Sequence, residues 1–354
     1  MLRRVYAFLL VAGMILLCSA CGESSPQEIL SQTDSSVSSS DTDSESSDPS
    51  TETNQKLTAE DVFARSEHLV GLCDQLNGRI LVCDLSEEDW TADGAVVWEY
   101  YNPEYKHIAG IKFRDSEYWG GKVVIFCYPG GAGILSYETK ELLYMTSDIG
   151  WNPHSVELLP DGTFIVASSS DNLVSVFAPG VKKASQKLEF PNAHGVLWDP
   201  AYEVVWMVGM DQLTAFSLNG TAENPSLSPV GGMDYRTPKT GMHDLAPVYG
   251  DPTCLLVTCN AGIMKFDKEK EVFNYSYPGG NLGKNVTYAP GVGLFEDGVL
   301  AYTSVREGHT VYESWCTNEV YVYVPLGGVR GSMLVRRAPK DAYYKLRLVN
   351  FNYQ

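Results

Sequence analysis

Positive charge is scarce in this chain of 354 residues: Lys and Arg together number 26 against 44 Asp and Glu, a formal net charge of −18. With no basic patch to displace counterions from phosphates, nucleic acid is excluded as a partner. Long apolar runs are missing too. The longest, residues 5–17, stops short of the ~20 residues that a spanning helix needs. No HExxH, GxSxG or P-loop pattern occurs, which removes the chemistries those motifs carry. The glycine-rich run from Pro129 to Gly133 is not followed by a helical pattern, so it reads as a hairpin turn and not a phosphate cradle. Of the six cysteines that follow Cys21, no two form a CxxC pair, and no Cys/His spacing resembles a structural zinc site. Most lie inside apolar strand runs such as LLVTC, where cysteine acts as a small core hydrophobe. Few disulfides, or none, are expected; Cys73 and Cys83, which flank one tight turn, are the pair that could form.

What is present begins with a targeting segment, residues 1–20. Arg3 and Arg4 precede the apolar run, and Ser19-Ala20 precede Cys21. This resembles a bacterial lipoprotein signal, with Cys21 as the lipidated residue, although Cys18 stands where leucine is usual and plain secretion is the alternative. An acylated Cys21 would anchor the chain, since each buried methylene contributes about 0.8 kcal/mol. The expected location is the extracytoplasmic face of a bacterial cell membrane. Residues 21–56 are mostly Ser, Thr, Asp and Glu. They have too little to bury against their ordering entropy and read as a disordered linker. As a flexible coil it would hold the following domain roughly 30 Å from its anchor.

From residue 57 the pattern becomes β throughout. Thr58, with Asp61 three residues on, caps one short opening helix. The segment HSVELLPDGTFIVASSSDNLVSVF, from His154, holds three short strands separated by turns. Its plan returns at His194 (HGVLWD, VVWMVG, LTAFSL) and at His243 (HDLAPV, LLVTC, GIMKFD). Repeats of roughly 40–50 residues made of short strands are the signature of a β-propeller. Blade one begins near Ala109, blades two to four at the three histidines, and blade five at Asn285 with VTYAP as its innermost strand. Residues 68–101 supply three strands that lack an innermost one, and YYKLRLVNF supplies a single strand at the end of the chain. Joined, they make a sixth blade that closes the ring without a free edge. The expected fold is therefore an all-β, six-bladed propeller over residues 57–354, with seven blades as the rival count.

The phrases NPHSVELLPDG, AHGVLWDP and HDLAPVYGDP, in this order, resemble a family of secreted bacterial propellers known only as a domain of unknown function. The resemblance implies six blades and assigns no chemistry. The three His phrases also have a local likeness to the peptidylglycine amidating lyase propeller, in which three histidines hold a zinc; the rest of the chain lacks that likeness.

Alternation of strands places the residue leading each innermost strand at the rim of the central channel. These positions are Ala109 (with His107 just upstream), His154, His194, His243, Lys284 or Asn285, and Tyr344. The insertion at residues 305–318 brings Arg306, His309 and Trp315 to the same face. One reading makes this a binding site for a saccharide or peptide ligand, with His107, His154, His194, His243, Lys284, Arg306, His309, Trp315 and Tyr344 as its contacts. A second makes His154, His194 and His243 ligands of a divalent metal, zinc or manganese, in a lyase or hydrolase, since three imidazoles and a water leave an open position. Whether the chain is an enzyme stays open between them. A third has the histidines tie neighbouring blades together. Glu157 and Arg347, at equivalent places in their strands, are candidates for an ion pair in the channel. The tryptophans are expected mostly in inter-blade packing, Trp119 and Trp151 being the more exposed.

Overall fold

The computed structural model describes residues 57–91, 93–306, 311–327 and 331–354. The expected leader, Cys21, the linker and His309 lie outside them. Among the described residues no helix is long and apolar enough to cross a membrane. The helix Ala59–Phe63 opens the described chain. Thr58 Oγ1 accepts from the Asp61 amide at 3.2 Å and the Asp61 carboxylate accepts from the Thr58 amide at 2.9 Å, a reciprocal cap.

Six four-stranded antiparallel sheets follow. Blade one is Gly110–Ser116, Gly121–Tyr128, Gly131–Ser136 and Leu142–Thr146, from the axis outward. The innermost strands of blades two to six are Pro153–Leu158, Ala193–Asp199, Met242–Pro247, Gly291–Leu294 and Tyr343–Leu348. The sixth blade is the expected composite: Tyr343–Leu348 pairs antiparallel with Leu69–Asp74, which continues to Arg79–Asp84 and Val96–Tyr101. Each innermost strand packs on the next around the axis, and that of blade six packs on those of blades five and one.

The apolar side chains divide into six clusters, one for each pair of neighbouring blades. Ile125 and Val156 meet between blades one and two, and Leu81 meets Val322 between five and six. Strand alternation explains this, because each sheet presents one row of side chains to either neighbour. Cys73 and Cys83 illustrate it. They face different clusters, their register partners are Ile80 and Val70, and all six cysteines of the described residues are free and buried.

The start of blade five needs correction. VTYAP is not its innermost strand; that strand is Gly291–Leu294. Tyr288 has a left-handed φ of 51°, so the β-favouring Val286-Thr287-Tyr288 turns across the rim instead of extending. The glycines that follow are needed at the crowded axis. A Cβ at Gly291 would come 2.2 Å from the Leu346 amide nitrogen.

Candidate functional site

Each of the three rim histidines is the extra residue of a β-bulge. Pro153 faces Ser168 and Ser155 faces Ala167, leaving His154 over. Likewise Ala193 faces Gly209 and Gly195 faces Val208, and Met242 faces Cys259 and Asp244 faces Thr258. His194 and His243 are the residues left over. In blade six the break between Leu72 and Asp74 leaves Tyr344 and Lys345 opposite Cys73. Two residues before each histidine the chain is left-handed, at Asn152 (φ 58°), Asn192 (φ 51°) and Gly241 (φ 72°). His107 (φ 57°) and Tyr288 (φ 51°) hold the same conformation two residues before Ala109 and Pro290. Asn and Gly tolerate it, whereas at His107 and Tyr288 it costs of order 1–3 kcal/mol, a strain found preferentially at binding sites. The left-handed residue turns the chain over the rim, and the bulge re-aims the side chain that follows.

The imidazoles form a contiguous group. His154 and His194 stack with ring centroids 4.2 Å apart and 25° between planes; His243 meets His194 edge-on at 5.5 Å. His194 Nδ1 lies 2.9 Å from the Asn192 carbonyl oxygen and therefore carries the proton. His243 Nε2 lies 2.6 Å from Asn260 Oδ1. The Tyr344 phenol, which burial keeps protonated, shares a hydrogen bond of 2.9 Å with His154 Nδ1. All three rings are held neutral. Burial comes first in each case, pushing His194 down to about 3 and His154 and His243 below the usual imidazole range, and the Lys345 charge adds to it.

These rings line a cavity of about 560 Å³ at the channel mouth, shared with Tyr344, His107 and Trp315. Trp315 is 37% exposed, with its Nε1–H held by Gln75 Oε1 at 2.9 Å. His107 stacks under Tyr312 at 5.6 Å. Two expected contacts are absent from the lining. Lys284 follows the short helix Gly280–Gly283 and places its ammonium over the Tyr275 ring at 5.1 Å. Arg306 lies over the Tyr321 ring and 3.8 Å from Glu319. Lys284 was assigned to the mouth from its place near a strand start, and the late start of blade five moves that register; Arg306, assigned from the insertion at residues 305–318, turns to Tyr321 and Glu319 instead. In their place stand Tyr288, whose ring lies 4.6 Å from that of His243, and the polar rim residues Asn152, Asn192, Ser169 and Glu313. The sequence signal for Asn152 and Asn192 was a polar residue two places before His154 and His194.

The three-histidine metal set is not assembled. A zinc about 2.1 Å from each nitrogen needs lone pairs aimed at one point, but His154 and His194 stack nearly face to face and His243 meets His194 edge-on. Among the described residues no group of three His, Cys, Asp or Glu is placed to hold a metal ion.

Below the cavity the channel is filled by two carboxylates and four cations. Arg114 donates to Glu157 at 2.8 and 2.9 Å, and Lys112 donates to it at 3.0 Å. Burial raises the Glu157 carboxyl, but Arg114 and then Lys112 overcome this and hold it at about 2. Asp244 takes both arms of Arg347 and, at 3.2 Å, Lys345. The expected Glu157–Arg347 pair is therefore replaced by two separate clusters. Glu157 has two cations on the adjoining strand of blade one, and Arg347 reaches across the axis to Asp244. Asp244 is fully buried in this role. Lys345 also donates to the carbonyls of His194 and His243, at 3.1 and 2.8 Å, which seats the two histidine bulges on the channel network.

No curated protein matches the chain. Solved structures share its fold at low identity. One is a chain of a nidogen/laminin complex, 13% identical, covering 81% of this chain and 99% of that one, with a TM-score of 0.53. Another is a protein of unknown function from Bacteroides caccae, 12% identical, covering 80% and 99%, with a TM-score of 0.53. Residues 116–278, which include all three histidine phrases, match the model of a family of unknown function, DUF6528.

Proposed function

We propose that this chain is a lipid-anchored, extracytoplasmic binding protein that takes a saccharide or peptide ligand at the mouth of its propeller channel. The observation that carries the reading is the cavity itself. Three neutral imidazoles from three consecutive blades are turned into one opening by bulges, beside a pinned and partly exposed indole. A concave, partly aromatic opening with a few convergent polar groups is how small-ligand sites are built. A purely structural histidine would be expected in every blade, and here blades one, five and six carry Ala109, Pro290 and Tyr344 at that position. The anchor rests on Arg3, Arg4, the apolar run and Cys21.

Two measurements test this. Full chain purified in detergent without a polyhistidine tag should be metal-free by elemental analysis and should bind members of a saccharide and peptide panel, with His194→Ala weakening binding at least tenfold. Stoichiometric zinc or manganese, lost in that variant, would instead make the site a metalloenzyme centre. In cells, Cys21→Ser should move the protein from the membrane to the soluble fraction; continued membrane retention would remove the lipid anchor.

A further inference from the structure

We propose that the mouth selects an uncharged saccharide, one of whose rings stacks on Trp315; this deepens the ligand-site reading above and rests on it.

Charge decides first. Among the described residues that line the cavity there is no Lys or Arg, and the carboxylate of Glu313 is the one formal charge. The nearest buried ammonium, Lys345, is 0% exposed and is spent on the His194 and His243 carbonyls and Asp244. A carboxylate or phosphate entering here would lose its hydration and find no cation, a cost that hydrogen bonds from neutral groups do not offset. That removes uronates, phosphorylated sugars and a free peptide C-terminus. An ammonium group would meet Glu313 from one side and the Lys345 charge behind the imidazoles from the other.

Hydrogen-bonding capacity decides next. A neutral imidazole has one donor and one acceptor. With Nδ1–H of His194 given to Asn192, its Nε2 is an acceptor. The Nε2 of His154 takes whichever role its Nδ1 bond to the Tyr344 phenol leaves to it. A hydroxyl group suits either role, because it donates and accepts at the same oxygen.

The aromatic groups decide last. Gln75 fixes Trp315 through its only polar atom and is itself fixed by donating to the Ile108 carbonyl at 3.1 Å. The indole is thereby pre-organised without spending its faces, which lowers the ordering cost of binding. Tyr312 on His107 and Tyr288 on His243 extend the aromatic surface around the opening. Among ligands rich in hydroxyls, a pyranose also offers an apolar C–H face to a ring.

The test is a neutral-glycan array probed with the full chain, followed by titration of tryptophan fluorescence with hits, their uronate and phosphate analogues, and end-capped tripeptides. A neutral oligosaccharide should bind, with affinity unchanged between 50 and 500 mM salt and at least tenfold weaker binding of its charged analogues. Trp315→Ala should weaken it tenfold or more, and Trp315→Phe should retain most of it. Binding of none of the neutral glycans overturns the inference, as does loss of nothing in Trp315→Ala. If a tripeptide or a charged sugar binds instead and His194→Ala abolishes it, the saccharide inference fails and the ligand site stands. If whatever binds is indifferent to both Trp315→Ala and His194→Ala, both fail.

Discussion

At the scale of single residues the imidazoles make a measurable statement about acid. His194 binds a proton only near pH 3 when folded, because burial outweighs the hydrogen bond to Asn192, whereas the unfolded chain takes it up near 6.5. Between these values the unfolded state holds more protons, so the unfolding free energy rises with pH and falls as the solution is acidified from about 6.5 to 3. Carboxylates such as Glu157 slope the same way, but at lower pH. Replacing His194 by Asn removes one titrating group while keeping a polar side chain at the bulge. Urea unfolding at a series of pH values should give a shallower dependence for His194→Asn than for the parent across pH 6.5 to 4, the difference amounting to a few kcal/mol. Equal slopes would mean that the imidazole ionises freely in the fold and is not buried as described.

The strands and turns show how far the sequence could be read. The three histidine repeats and the composite blade follow from alternation and turn chemistry, because a half-buried strand announces itself every second residue. What failed was a place where β-favouring residues do not form a strand. Val286-Thr287-Tyr288 turns over the rim and Gly291–Leu294, poor in β-formers, pairs in its place, since close approach of neighbouring backbones at the axis outweighs propensity. That single shift misplaced Lys284 and concealed Tyr288. The channel pairs were half visible: Lys112-Phe-Arg114 and Lys345-Leu-Arg347 repeat one spacing on two innermost strands, but which carboxylate each faces depends on blade adjacency and on reach across the axis. The bulges could not be read at all, because a one-residue slip in pairing leaves no mark on composition. The tight axis makes a prediction at this scale. A Cβ at Gly110 would lie 2.7 Å from the His154 carbonyl oxygen. Gly110→Ala should destabilise the fold by roughly 1–3 kcal/mol and, by displacing His154, weaken ligand binding more than Gly231→Ala, at an exposed glycine where an added Cβ meets nothing within 4 Å, does, measured by denaturant midpoint and by titration.

Over the whole molecule, closure and the site are one problem. The strand Tyr343–Leu348 completes blade six, supplies Tyr344 to the mouth, and carries the two cations that neutralise Asp244. Without it, Leu69–Asp74 becomes an open edge facing the axis, and a buried carboxylate loses both partners. Removing one side of a buried pair costs about 3–5 kcal/mol, comparable to much of the 5–15 kcal/mol that holds a typical domain together. A chain ending at residue 340 should therefore show no cooperative unfolding transition and should associate through the bare edge. Supplying residues 341–354 as a separate peptide should restore a cooperative transition, because the missing contacts are with the strand and not with its covalent linkage. Restoration by that peptide but not by one with Lys345→Met and Arg347→Met would assign the effect to the charges on Asp244. Equal rescue by both peptides would assign it to strand pairing alone. A truncated chain that unfolds cooperatively at the midpoint of the intact one would show that five blades and a three-stranded remnant are stable without the sixth being completed.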